Sequence, residues 1–98
     1  MNQVLIGEKL ETMYKVILKK QAEKYYNKVS NNIALKLKER FTQMMKNPID
    51  INSKQLKGEL QGYWRSRLGS LRIIYSIDES NKTINIALIS SRGDVYKK

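Results

Sequence analysis

Three arginines, Arg65, Arg67 and Arg72, fall within the stretch Gly62-Tyr63-Trp64-Arg65-Ser66-Arg67-Leu68-Gly69-Ser70-Leu71-Arg72-Ile73-Ile74-Tyr75-Ser76-Ile77. A guanidinium group is a permanently charged, planar donor whose fork matches the oxygens of phosphate and carboxylate. What three of them can do together depends on whether they converge. Two runs rich in aromatic and aliphatic residues flank Gly69-Ser70, a Gly-X pair suited to a two-residue hairpin turn. That turn predicts a register in which Leu68 faces Leu71, Arg67 faces Arg72, Ser66 faces Ile73, Arg65 faces Ile74 and Trp64 faces Tyr75. Alternation then gathers Trp64, Leu68, Leu71, Ile73, Tyr75 and Ile77 on one face and the three arginines on the other.

Like charges opposed across a ladder are destabilising. Two cations ~5 Å apart repel by about 1 kcal/mol even at the dielectric constant of water. An arrangement that costs stability points to a polyanion as the missing partner. The competing reading is a solvated basic face whose long side chains splay apart.

The remaining composition narrows the chemistry. The chain has no cysteine and therefore no thiol nucleophile and no disulfide framework, which fits a reducing compartment. It has no histidine, so imidazole bases and His-based metal sites are ruled out, and its Asp and Glu residues are not clustered as carboxylate metal ligands would be. No metal and no other cofactor is expected. No apolar run reaches transmembrane length and no signal-peptide pattern opens the chain, so the expectation is a cytoplasmic protein with no membrane partner. Nineteen Lys and Arg against nine Asp and Glu give a net charge of +10, which favours nucleic acid, an acidic protein or another anionic surface as partner.

The elements that must hold the arginines follow in order. With 98 residues and 41% apolar composition, one small domain with one core is expected. Residues 1–12 are read as an N-terminal extension, because Gly7 interrupts their apolar residues, and residues 13–98 as the domain. Met13 to Lys19 reads as a strand. Ala22, Tyr25, Tyr26 and Val29 fall at helical spacing, and Ser30-Asn31-Asn32 breaks that helix and caps a second. The second buries Ile33, Leu37, Phe41, Met44 and Met45 and stops at Asn47-Pro48. Ile49 to Gly62 is a connection, pinned by Leu56 and Leu60 and carrying Lys54 and Lys57. The hairpin follows, then a polar turn at Asp78–Lys82 and a third strand, Thr83 to Ser90, with Ile84, Ile86 and Leu88 inward. A basic end, Lys97-Lys98, closes the chain. The fold class is α+β: two helices on one face of a mostly antiparallel sheet in the order β-α-α-β-β-β, with the arginines on the uncovered face.

Leu56-Lys57-Gly58, the run Tyr63-Trp64-Arg65-Ser66-Arg67-Leu68, the run Leu71 to Asp78 and the ending Ile89-Ser90-Ser91-Arg92-Gly93-Asp94-Val95-Tyr96-Lys97 together resemble the RelE/ParE toxin superfamily, from about Met13 to Lys98. The resemblance implies a RelE-like fold and a bacterial type II toxin silenced by a cognate, acidic antitoxin. Operator DNA would be met only through the antitoxin complex. In the RelE branch it implies an endoribonuclease that cuts mRNA in the ribosomal A site. The site residues so implied are Arg65, Arg67, Arg72, Arg92 and Tyr96, with Lys54, Lys57, Lys97 and Lys98 attracting RNA. In the ParE branch it implies a DNA gyrase inhibitor with no nuclease activity. Two departures stand out. The first-strand positions, often Lys in RelE-type members, are Arg65 and Arg67 here, and arginine cannot act as a base. A His that some relatives carry near the C-terminus is absent, and Ser91 stands about there.

Overall fold

Val16 and Leu18 are fully buried and Lys15 is exposed, the alternation of a strand with one face in a core. In the computed structural model, which describes residues 4–6 and 13–91, β1 (Val4–Ile6) lies antiparallel to β2 (Lys15–Leu18), with Leu5 opposite Ile17. β1 belongs to the stretch read from sequence as an extension, and it adds one strand to the sheet at the β2 edge.

Helices α1 (Lys20–Lys28) and α2 (Asn31–Lys46) follow. The Ser30 hydroxyl accepts from the Ile33 backbone N–H at 3.4 Å and caps α2. Asn47, forced out of helical geometry ahead of Pro48, ends it. The expected stripes are the buried ones. Ala22, Leu37, Phe41, Met44 and Met45 pack with Val16, Leu18, Leu71, Ile73, Tyr75, Ile84, Ile86 and Ile89 in one cluster. Tyr26 and Phe41 meet between the helices with ring centroids 6.2 Å apart.

The segment after α2 is more ordered than a connection. It contains β3 (Ser53–Gln55), paired antiparallel with β4 (Trp64–Leu68), and a 3₁₀ turn at Gly58–Leu60. Leu56 is half-buried and Leu60 is exposed, so neither pins the segment to the core. Backbone bonds hold it instead: Leu56 N–H to Tyr63 C=O and Tyr63 N–H to Leu60 C=O, both 3.0 Å.

β5 (Leu71–Asp78) and β6 (Thr83–Ser91) complete a six-stranded sheet of order β1-β2-β6-β5-β4-β3. β2 runs parallel to β6 and the other pairs are antiparallel. The polar turn between β5 and β6 is tied by Asp78, whose carboxylate accepts from the Asn81 backbone N–H at 3.2 Å and side-chain amide at 2.9 Å. The last strand departs from simple alternation. Ile74 pairs with Leu88 but Tyr75 pairs with Ile86, leaving Ala87 as the extra residue of a bulge. The bulge advances the alternation by one, so Ile89, not Leu88, enters the core.

Candidate functional site

The hairpin has the register its turn dictates. Trp64, Arg65, Ser66, Arg67 and Leu68 pair with Tyr75, Ile74, Ile73, Arg72 and Leu71 in turn. Gly69 has φ +60° and Ser70 keeps a negative φ, the pattern of a type II′ turn. A two-residue loop makes Leu68 and Leu71 a hydrogen-bonded pair. Arg67 and Arg72 therefore occupy the next, non-hydrogen-bonded site, where side chains lie closest, with Cα atoms ~4.5 Å apart in such pairs.

The sheet face away from the helices carries two rows of residues. One runs Lys54, Arg65, Ile74, Leu88 and the other Arg67, Arg72, Ser90. Arg67 is exposed and Arg65 and Arg72 are half-buried. Arg65 Nε and Ser90 Oγ are shielded from solvent and have no hydrogen-bond partner among the described residues. Ile74, between Arg65 and Leu88, is buried. The only acidic residue of β5, Asp78, lies at its far end, six residues from Arg72 and thus ~20 Å along the strand. The half-buried guanidinium groups of Arg65 and Arg72 have lost part of their hydration, and partial burial strengthens the attraction between such a group and an anion.

A fourth arginine serves this region from behind. Arg40, on α2, donates from Nη1 to Ser66 Oγ at 2.7 Å and to the Arg67 carbonyl at 2.8 Å, and from Nε to Gln43 Oε1 at 3.2 Å. It did not stand out in sequence because it reads as one more solvated charge on a helix rich in lysine. The available signal was Ser66, a small polar residue at an inward position between Trp64 and Leu68, 1% exposed and therefore in need of a partner.

The loop beside the hairpin is fixed by its own network. The buried Tyr75 hydroxyl donates to the Pro48 carbonyl and shares a hydrogen with Ser53 Oγ at 3.0 Å. Burial pushes the Tyr75 phenol above its ordinary pKa, while the Ser53 bond and, more weakly, the Arg40 charge pull it down. Asp50 Oδ1 accepts from the Asn52 N–H at 2.8 Å, and the Asn52 carbonyl accepts from the Arg67 N–H at 3.4 Å.

Among the sequence-predicted residues, the fold brings Lys54, Arg65, Arg67 and Arg72 onto one face. Lys57 is exposed at the start of the 3₁₀ turn, off that face. Arg92, Tyr96, Lys97 and Lys98 lie outside the described residues. The cleft at the hairpin tip, lined by Arg67, Gly69, Ser70, Leu71 and Arg72, is about 20 Å³, room for a water and not a nucleotide. A polymer would lie across this face and not enter it. A larger hollow, about 450 Å³, is lined by Lys20, Gln21, Lys24, Tyr25 and Lys28 of α1 and by none of the three hairpin arginines. Among the described residues no group of His, Cys, Asp and Glu could hold a metal ion, and no helix is long and apolar enough to cross a membrane.

Residues 16–96 match the family model described as the ParE toxin of the type II toxin–antitoxin system, parDE. Toxin RelG of Mycobacterium tuberculosis is 31% identical over 58 residues, which span 59% of this chain and 66% of that protein. The fold is similar to a chain of the RelBE2 toxin–antitoxin complex of M. tuberculosis, with TM-score 0.72 and 27% identity over 82% of this chain and 99% of that one. It is similar to a chain of the archaeal RelE–RelB complex of Pyrococcus horikoshii, with TM-score 0.70 and 26% identity over 83% and 97%. The isolated E. coli RelE toxin shares the fold at TM-score 0.67 and 18% identity, over 86% of this chain and 90% of that one.

Proposed function

The chain belongs to the ParE toxin family of type II toxin–antitoxin systems, with a RelE-like fold, and we propose that it acts as a ribosome-dependent mRNA endoribonuclease. The observation that carries this reading is the opposed pair Arg67–Arg72 at a non-hydrogen-bonded site, with Arg65 and Lys54 on the adjoining row of the same uncovered face. The reaction is attack by the RNA's own 2′-hydroxyl on the adjacent phosphorus. The 2′-O–P bond forms and the P–O5′ bond breaks, leaving a 2′,3′-cyclic phosphate and a 5′-hydroxyl. One proton leaves the 2′-hydroxyl and one reaches the departing 5′-oxygen. Arg65, Arg67 and Arg72 supply charge-assisted donors to the phosphorane oxygens, where negative charge builds up. Tyr96 takes the role of orienting or deprotonating the 2′-hydroxyl and Arg92 that of a further phosphate donor, both on the strength of the superfamily resemblance. Lys54 and Lys57, with Lys97 and Lys98, attract the RNA backbone without reading its sequence.

The natural partner on this reading is an acidic antitoxin, in line with the RelBE2 and RelE–RelB complexes among the similar structures. It would neutralise the arginine face in the cytoplasm, and its complex with the toxin would be the form that meets operator DNA. Purified ribosomes programmed with defined A-site codons test the activity. Addition of the protein should yield mRNA ends within the A site, and intact mRNA across several codons overturns the reading.

The description of the matching family, ParE toxin, favours a second reading, a DNA gyrase poison that needs the fold but not the arginine set. Gyrase-linked DNA breaks and an SOS response on expression, with mRNA intact and translation continuing, select it over the first.

A further inference from the structure

Arg67 occupies a backbone position that the sheet itself leaves incomplete. At a non-hydrogen-bonded site opposite Arg72, its N–H and C=O point away from β5, toward the β3 side. β3 pairs Ser53 with Ser66 and goes no further along β4. The Arg67 N–H reaches the Asn52 carbonyl only at 3.4 Å, the long end of a hydrogen bond. Among the described residues its C=O has no strand to pair with, and it receives its donor from Arg40 instead, at 2.8 Å. The two hydrogens on that one nitrogen serve two acceptors, the second being the buried Ser66 hydroxyl at 2.7 Å, while Nε is braced on Gln43 along the same helix.

We propose that Arg40 is a positioning residue for the cationic site: its guanidinium stands in for the strand that β3 does not extend far enough to supply, and so fixes the β4 main chain from which Arg65 and Arg67 project. The inference rests on the endoribonuclease reading for its catalytic consequence. Arg40 lies on the helix-covered side of the sheet and the site lies on the other, so Arg40 acts through the main chain and not on the RNA. Only a planar fork suits this duty. The Nζ of a lysine lies one bond nearer the backbone than Nη1 and carries no second nitrogen for Gln43.

The test combines single-turnover cleavage on programmed ribosomes with backbone amide exchange, for wild type, Arg40→Ala, Arg40→Lys, Arg67→Ala and the double variant Arg40→Ala/Arg67→Ala. Arg40→Ala should slow cleavage at saturating protein by about 10- to 100-fold, with the half-saturating concentration unchanged. Arg40→Lys should not restore the rate. In the Arg67→Ala background, Arg40→Ala should cost clearly less than it does alone, because the part of its effect that passes through Arg67 is already lost and only the part through Arg65 is left. Fully additive losses overturn the proposal. So does full rescue by Arg40→Lys with the loss confined to half-saturation, since that pattern means general charge. A rate loss that vanishes once corrected for the fraction of folded protein overturns it as well. Amide exchange probes the clamp without any need for activity: the Arg67 amide should exchange about tenfold faster in Arg40→Ala, with Ile73 unaffected. If wild type cleaves no mRNA, the endoribonuclease reading falls by itself. Unchanged exchange at Arg67 sinks the clamp whatever the activity.

Discussion

The two faces of the β4–β5 hairpin are built from neighbouring residues under opposite demands. On the helix side, Ile73 and Tyr75 are fully buried among aliphatic and aromatic contacts, and the one buried polar group of β4, Ser66, has its hydrogen bond. On the other side, Arg72 and Ile74 alternate with them, and three guanidinium groups share a surface with Lys54. The first face packs into the core and holds the molecule together. The second sets Arg67 opposite Arg72, like charges side by side, an arrangement that a phosphate backbone would exploit. On the proposed reading, a one-residue step along a strand exchanges a stability role for a binding role, so substitutions at adjacent positions should separate the two.

The largest expected effect is on the covered face. Ile73→Ala should lose about 3–4 kcal/mol in urea unfolding, since a fully buried side chain leaves a cavity in the core cluster. A loss under about 1 kcal/mol would break the comparison. On the open face, Arg67→Ala should leave unfolding free energy within about 0.5 kcal/mol of wild type, and reduce single-turnover cleavage by about 10²-fold. Strong destabilisation there would make Arg67 structural and dissolve the division between faces. Trp64 sharpens the contrast because it is half-buried at the margin of the core. Trp64→Ala should cost about 2 kcal/mol, less than a fully enclosed aromatic, when measured by the same unfolding assay. The smallest effect concerns pH. The folded state raises the Tyr75 pKa chiefly by burial, so it favours the protonated phenol. Stability is therefore complete below the unfolded value of about 10 and falls as pH rises through and above it. Tyr75→Phe should flatten the alkaline decline in Tm. Part of it should persist, because the exposed Tyr14 phenol, donating to Glu79 at 2.8 Å, shifts in the same direction.

Much of this arrangement could be read from residue order. Gly69-Ser70 pins the hairpin register because a two-residue turn admits one pairing, and Asn47-Pro48 ends α2 by steric rule. What escaped reading depends on contacts between distant segments. The exchange of Leu88 for Ile89 stems from the bulge at Ala87, and nothing in Ile-Ala-Leu-Ile distinguishes the extra residue before β5 is laid beside it. β3 is three residues long with no hydrophobic alternation, and only its pairing with β4 makes it a strand. Arg40 looks like any helix cation until the unpaired carbonyl of Arg67 is brought to it. Of the five residues expected to do chemistry, Arg65, Arg67 and Arg72 share the face assigned to them, while Arg92 and Tyr96 lie outside the described residues.

The parallel pairing of β2 with β6 has a consequence for the order in which the molecule can be made. Lys15 meets Thr83 and Leu18 meets Ile86, so 64 of the 98 residues, 19–82, intervene between the two strands. β6 also pairs with β5 on its other side, and is thus, among the described residues, the strand that joins the N-terminal part of the sheet to the hairpin. A nascent chain that has not yet delivered β6 holds two halves with no common sheet, and such non-local closure is slow and late. A chain ended after Asp78 should accordingly show no cooperative thermal transition by circular dichroism. Translation itself becomes the timer: the arginine face has no rigid platform behind it until β6 has left the ribosome that made it.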